Sequence, residues 1–146
     1  MINLSEIDVE SESGNLGNVG CSAEYTNSLT EFSSFFSEHK QAKGEAARFA
    51  MAIGIQTNTK VYRKDWKKIK GKKPTNIASW SGFSTGFDLE NLFIMLDLEE
   101  KEYEIHEIAS AYVTGGLKWI VENDMLEGKN FSEMKEQIPH IFSEKD

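Results

Sequence analysis

Eight cations and two aromatic rings fall within the stretch KVYRKDWKKIKGKK, Lys60 to Lys73. Phosphate binding needs several cations converging on one surface, and an aromatic ring adds a face for a sugar or a base. Lys60, Arg63, Lys64, Lys67, Lys68, Lys70, Lys72 and Lys73, interleaved with Tyr62 and Trp66, supply both kinds of group. The run also suits two plainer roles: a solvated face that keeps the protein soluble, or a dock for an acidic protein. Its setting bears on the choice. The 146 residues carry a formal net charge of -8, yet this stretch is +7, so the rest sums to -15. A domain with that asymmetry repels DNA on most faces and attracts it on one.

Elsewhere the residue types that do chemistry do not assemble into a pattern. His39, His106 and His140 lie far apart, and His106 has no second histidine four residues on, as a zinc-peptidase helix needs. WSGFSTG lacks the glycine two before Ser81 that a nucleophile elbow requires. No phosphate loop or GxGxxG occurs. Cys21 is the single cysteine, which rules out an intramolecular disulfide and a CxxC zinc site and leaves it no partner as a nucleophile. Asp97, Glu99, Glu100, Glu102, Glu104 and Glu107 would hold a hard cation if they converged. They read equally as a solvated loop and helix start, with Glu102 and Glu104 at the positive end of the helix dipole. No catalytic residue, metal or cofactor is expected, and the chain reads as non-enzymatic.

The elements that must carry the basic stretch read as helices. SLTEFSSFFSEHK has Ser28 as N-cap with Glu31 three residues on, and Leu29, Phe32, Phe35 and Phe36 on one face. KGEAARFAMAIGI places Ala46, Phe49, Ala50 and Ile53 at helical spacing, with Gly54 as a C-terminal cap. Its alanines allow another helix close by, and Arg48 is its one long charged side chain. The basic stretch itself reads as a short helix ended by Gly71 and Pro74, with Val61, Tyr62, Trp66 and Ile69 along one edge. Val61, Trp66 and Ile69 would anchor it and leave its lysines facing outward.

TNIASWSGFSTGF reads as a loop, with Trp80, Phe83 and Phe87 as core anchors or as an oligomer contact. DLENLFIMLDL is a helix capped by Asp88, and KEYEIHEIASAYVTGGLKWIVEN is the longest helix. Its internal Gly115–Gly116 pair costs about 2 kcal/mol relative to alanine. A close helix crossing, a kink or a ligand against the backbone must offset that. FSEMKEQIPHIF is a last short helix stopped by Pro139. Residues 1–27, acidic and rich in Ser, Gly and Asn, read as a flexible tail. Ile2, Leu4, Ile7 and Val9 are the only hint of a strand within it.

These readings add up to a mainly α fold: a compact small bundle of about five helices over 28–146, one domain, behind that tail. A chain of this length buries roughly two thirds of its unfolded surface and needs no staple. The start has no basic-then-apolar order, and no apolar run approaches the ~20 residues that span a bilayer. A cytoplasmic protein without membrane contact is expected.

LTEFSSFF, AARFAMAI, GFDLENLFIML and YVTGGLKWI occur in this order over about residues 29–122. In that order they resemble the DndE-like family of small proteins from bacterial DNA phosphorothioate modification and restriction systems. RFAMAIGI is also similar to a helix of proteins associated with the same gene clusters. The resemblance implies a small helical subunit of a DNA-modification or anti-phage defence assembly, with protein partners. Two features depart from it: the chain is strongly acidic where that family presents basic surfaces, and the N-terminal tail has no counterpart.

The expected function is therefore a non-enzymatic subunit that contacts the DNA backbone through the eight cations without reading sequence. The alternative is an acidic adaptor or DNA mimic that occupies a DNA-binding enzyme. It would act through Glu6, Asp8, Glu10 and Glu12 and the acids from Asp97 to Glu107.

Overall fold

The structure is a computed structural model that describes residues 17–36, 42–84 and 86–126. Among these residues the fold is mainly α, with five α-helices and one two-stranded sheet: β1 (Asn18–Cys21), α1 (Thr26–Ser33), α2 (Ala42–Thr57), β2 (Thr75–Ser79), α3 (Trp80–Ser84), α4 (Leu89–Met95) and α5 (Ile105–Glu122). The short turns Ala23–Tyr25 and Arg63–Asp65 are 3-10 helices. The expected helix at FSEMKEQIPHIF, the strand hint at Ile2 to Val9, and His39 and His140 lie outside the described residues.

The centre is the crossing of α2 and α5. Small residues face each other there: Ala46, Ala47, Ala50 and Gly54 from α2, and Ala109, Gly115 and Gly116 from α5, all fully buried or nearly so. The glycines are there because backbone occupies the space of a side chain. A β-carbon on Gly116 would collide with the Ala50 carbonyl and come within 2.6 Å of its carbon. One on Gly115 would meet the Thr59 carbonyl and lie 2.8 Å from the Lys60 Cα. Close approach is therefore what offsets the helix-propensity cost, and α5 runs on through both residues. Gly54 is not a C-terminal cap. It sits inside α2, where a β-carbon would strike the Tyr112 carbonyl and lie 2.9 Å from the Thr59 oxygen.

α1 begins at Thr26, ahead of the expected Ser28 start. Ser28 is then inside the helix, where its backbone cannot cap, so no box with Glu31 forms. Leu29 and Phe32 are buried, and the Phe32 ring meets Phe36 and Phe49 edge-on at 5.2 and 6.0 Å.

The sheet is the main departure from the expectation. β1 and β2 pair antiparallel with Asn18 opposite Ser79 and Cys21 opposite Thr75, and the register slips between Val19 and Gly20. The tail reading of residues 1–27 is thereby corrected from Gly17 onward, and the loop reading of TNIASWSGFSTGF is corrected over Thr75–Ser79, a strand, and Trp80–Ser84, a helix. Val19 and Cys21 point into the core. The other edge of β1 lies on α5, where Ser110 Oγ accepts from the Gly20 N–H at 3.0 Å. One turn on, Thr114 Oγ1 accepts from the Ser22 N–H at 3.3 Å. Two helix hydroxyls thus stand where a third strand's carbonyls would be.

Trp80, Phe83, Leu89 and Phe93 close the core from α3 and α4. Trp80 and Phe83 are buried in this core, while Phe87 packs partly buried under the Arg48 guanidinium, 4.4 Å from its ring centre. Asp88 stands at the N-cap position of α4, but at φ 53° its side chain makes no capping bond and instead accepts from the Asn91 amide. α5 starts at Ile105 on a reciprocal cap, with the Glu104 N–H donating to Glu107 Oε1 at 2.7 Å. No helix among the described residues is long and apolar enough to cross a membrane.

Candidate nucleic-acid interface

The basic stretch is positioned by the glycine notch of the helix crossing. Past the end of α2, the Thr59 N–H donates back to the Gly54 carbonyl at 2.8 Å, and the Val61 N–H donates to the Ala111 carbonyl of α5 at 3.0 Å. The backbone of Thr59 and Lys60 lies against Gly115, in the space its missing side chain leaves. Gly115, one of the two residues that weaken α5 as a helix, therefore seats the start of the cationic segment.

From there the chain does not form the expected short helix. One 3-10 turn, Arg63–Asp65, is followed by residues without regular structure. Trp66 explains the break. Its indole N–H donates to the Val61 carbonyl at 2.7 Å, taking the acceptor that an α-helix would offer to residue 65. Lysines outnumber the single acid, Asp65, in this segment and add little support for a helix. Gly71, at φ 79°, lets the chain fold back, with the Lys72 N–H on the Ile69 carbonyl at 3.0 Å.

Trp66 is 7% exposed, with Val61 and Ile69 half-buried, so the expected anchors do hold the segment to the body. All eight cations are exposed. The turn-back brings Arg63, Lys64, Lys67, Lys68, Lys72 and Lys73 around one concavity of about 620 Å³, whose apolar part is Ala23, Trp66, Ile69 and Pro74. The ion pairs among the described residues, Lys60 with Glu100 and Lys118 with Glu122, involve none of these six. Arg63 lies over the Trp66 ring at 4.7 Å.

Lys60 and Lys70 stand apart from the concavity. Lys60 Nζ donates to Glu100 Oε2 at 2.8 Å, and the Tyr62 hydroxyl donates to the same oxygen. Those two bonds hold the Glu100 carboxyl below the usual carboxylate range. The bond to Glu100 also raises Lys60, while burial, followed by the Glu100 contact, pushes the Tyr62 phenol up. Tyr62 stacks on Tyr103 at 4.0 Å, nearly parallel, and Lys64 is raised chiefly by a hydrogen bond to the Tyr103 side chain. The acidic loop is thus tied to the basic segment, a pairing of two charge runs that the sequence presents forty residues apart.

Both aromatic rings expected to stack on a base are engaged within the fold, Tyr62 against Tyr103 and Trp66 beneath Arg63. The acids from Asp97 to Glu107 are likewise partly committed: Glu100 to Lys60 and Tyr62, Glu104 and Glu107 to the start of α5. Among the described residues no three His, Cys, Asp or Glu side chains converge to hold a metal ion. The acids of the tail, Glu6, Asp8, Glu10 and Glu12, lie outside the described residues.

Cys21 is buried, and loss of solvation pushes its thiol up to about 11. His106 packs its ring on the Gly17 backbone, and burial lowers its pKa. Sequence reasoning missed Glu100 and Gly115 as residues that position the cations. The glycine pair was the available signal for the second.

No protein-family model, curated protein or solved structure matches this chain.

Proposed function

We propose that this chain is a non-enzymatic DNA-backbone contact, built on Arg63, Lys64, Lys67, Lys68, Lys72 and Lys73 and acting within a DNA-modification or anti-phage defence assembly. The observation that carries the reading is the convergence of these six cations on one concave face, with none of them in an ion pair among the described residues. A solvated lysine face has no reason to converge. Lys60 contributes charge but is held by Glu100, and Lys70 points elsewhere, so the eight expected contacts reduce to six. The engagement of Tyr62 and Trp66 inside the fold favours phosphate contact over base stacking, and hence duplex over single strand. The motif order shared with DndE-like proteins supports DNA as the polyanion and an assembly as the setting, in which the acidic remainder would face protein partners.

Binding of a labelled duplex of mixed sequence tests the reading. Log K should fall with log[salt] at a slope of about -5 if six phosphates are neutralised. Replacing Lys67, Lys68, Lys72 and Lys73 with Gln should reduce the slope to about -2 and remove most of the affinity at low salt. Unchanged affinity in that variant would sink the reading.

A further inference from the structure

The shape of the cationic site carries more than its charge. The cations that would meet phosphates also line a single concavity of about 620 Å³. That volume falls within the ~300–1,000 Å³ of small-ligand pockets and is far too small to enclose a turn of duplex. Its lining is also two-sided in chemistry. Cations from the 3-10 turn, from the residues after it and from the folded-back segment supply charge, while Trp66, Ile69 and Pro74 supply an apolar part. Trp66 is already only 7% exposed, so Ile69 and Pro74 are the apolar groups left for a ligand to cover.

We propose that the concavity binds a free nucleoside polyphosphate, its phosphates among the six cations and its base against Trp66, Ile69 and Pro74. This deepens the DNA-contact reading, because it uses the same cations and makes the two ligands mutually exclusive. The site is held where the ring would lie: Trp66 is pinned through its indole N–H to Val61, and Pro74 immediately precedes β2. It is charged where the phosphates would lie. A triphosphate presents three or four negative charges at neutral pH in a compact volume, which suits cations drawn together by one turn. The base contact is edge-on to Trp66, because the Arg63 guanidinium covers its face.

Isothermal titration calorimetry of the full chain with ATP in EDTA tests this, beside inorganic tripolyphosphate and a short labelled duplex. ATP is expected to bind at one site, about tenfold or more tighter than tripolyphosphate through its base, and to displace the duplex. Lys72→Gln with Lys73→Gln should weaken ATP about tenfold or more, since each removes a charge-assisted contact. Lys70→Gln, which removes one charge outside the concavity, should leave it within about twofold. Duplex binding without ATP binding overturns the nucleotide site and leaves the DNA reading standing. Tripolyphosphate bound as tightly as ATP overturns the base contact, as does an equal effect of Lys70→Gln and the Lys72/Lys73 pair on ATP. Binding of neither ATP nor duplex overturns both readings.

Discussion

Replacing Gly116 with alanine tests whether the α2–α5 crossing is as close as the structure has it. In an open helix the change is favourable by about 1 kcal/mol, because alanine orders less backbone on folding. Here the new methyl would collide with the Ala50 carbonyl, with the Ala50 carbon 2.6 Å and its Cα 3.2 Å away. These are helix-backbone atoms that cannot rotate aside, so relief requires moving α2 as a body. Overpacking of that kind costs typically 1–3 kcal/mol and occasionally more, and the backbone contact puts this site at the upper end. Steric cost therefore exceeds the propensity gain, for a net loss of about 2 kcal/mol. In a domain of this size that lowers Tm by about 6–10 °C. Gly44→Ala in α2 supplies the opposite case: its nearest neighbour is the Arg48 guanidinium at 3.8 Å, an ordinary contact. The same substitution there should raise Tm by about 2–4 °C. Circular dichroism melts at 222 nm with urea titrations read both variants. Equal, same-signed shifts at Gly44 and Gly116 would refute the close crossing.

Three further outcomes follow from other parts of the fold. Ser110→Ala and Thr114→Val strand the buried N–H groups of Gly20 in β1 and of Ser22 just after it, so each should lower the urea midpoint by an equivalent of about 1–3 kcal/mol. Neutral results would mean that water, and not the hydroxyls, satisfies that edge. Cys21 should react with a disulfide probe at pH 8 at least about 100-fold slower in the folded chain than in urea, since burial moves its thiol up to about 11. Rapid labelling of the native chain would contradict its place in the core. The His106 imidazole should titrate by NMR below the ordinary histidine value, because burial favours its neutral form. Protonation then favours the unfolded chain, so stability is complete above the unfolded histidine pKa of about 6.5 and declines as pH falls below it. A midpoint at or above that value would reverse the sign.

The helices α2 and α5 were legible because their burial is periodic along the chain. Alanines and branched residues recur at helical spacing, and the glycine pair announced a close contact. The sheet was not legible. β1 offers only Val19 and Cys21 as alternating apolar residues, beside an asparagine and a glycine. Its stability comes from Thr75–Ser79, over fifty residues away, and from two hydroxyls of α5, so nothing local marks it. The basic segment was half legible. Its charge and its anchors Trp66 and Ile69 were plain, but its backbone was not, because the Trp66 indole competes for the Val61 carbonyl through a tertiary arrangement. Glu100 was visible as an acid and not as the counter-ion of Lys60, since a loop's return path has no periodicity to betray it.

The claim that these cations form one phosphate-binding face is tested most directly by the salt dependence of duplex binding, read by fluorescence anisotropy. The native chain should give a log–log slope of about -5, and Lys67→Gln, Lys68→Gln, Lys72→Gln and Lys73→Gln together should bring it to about -2. A slope near zero for the native chain, or the same slope in both proteins, would contradict the account.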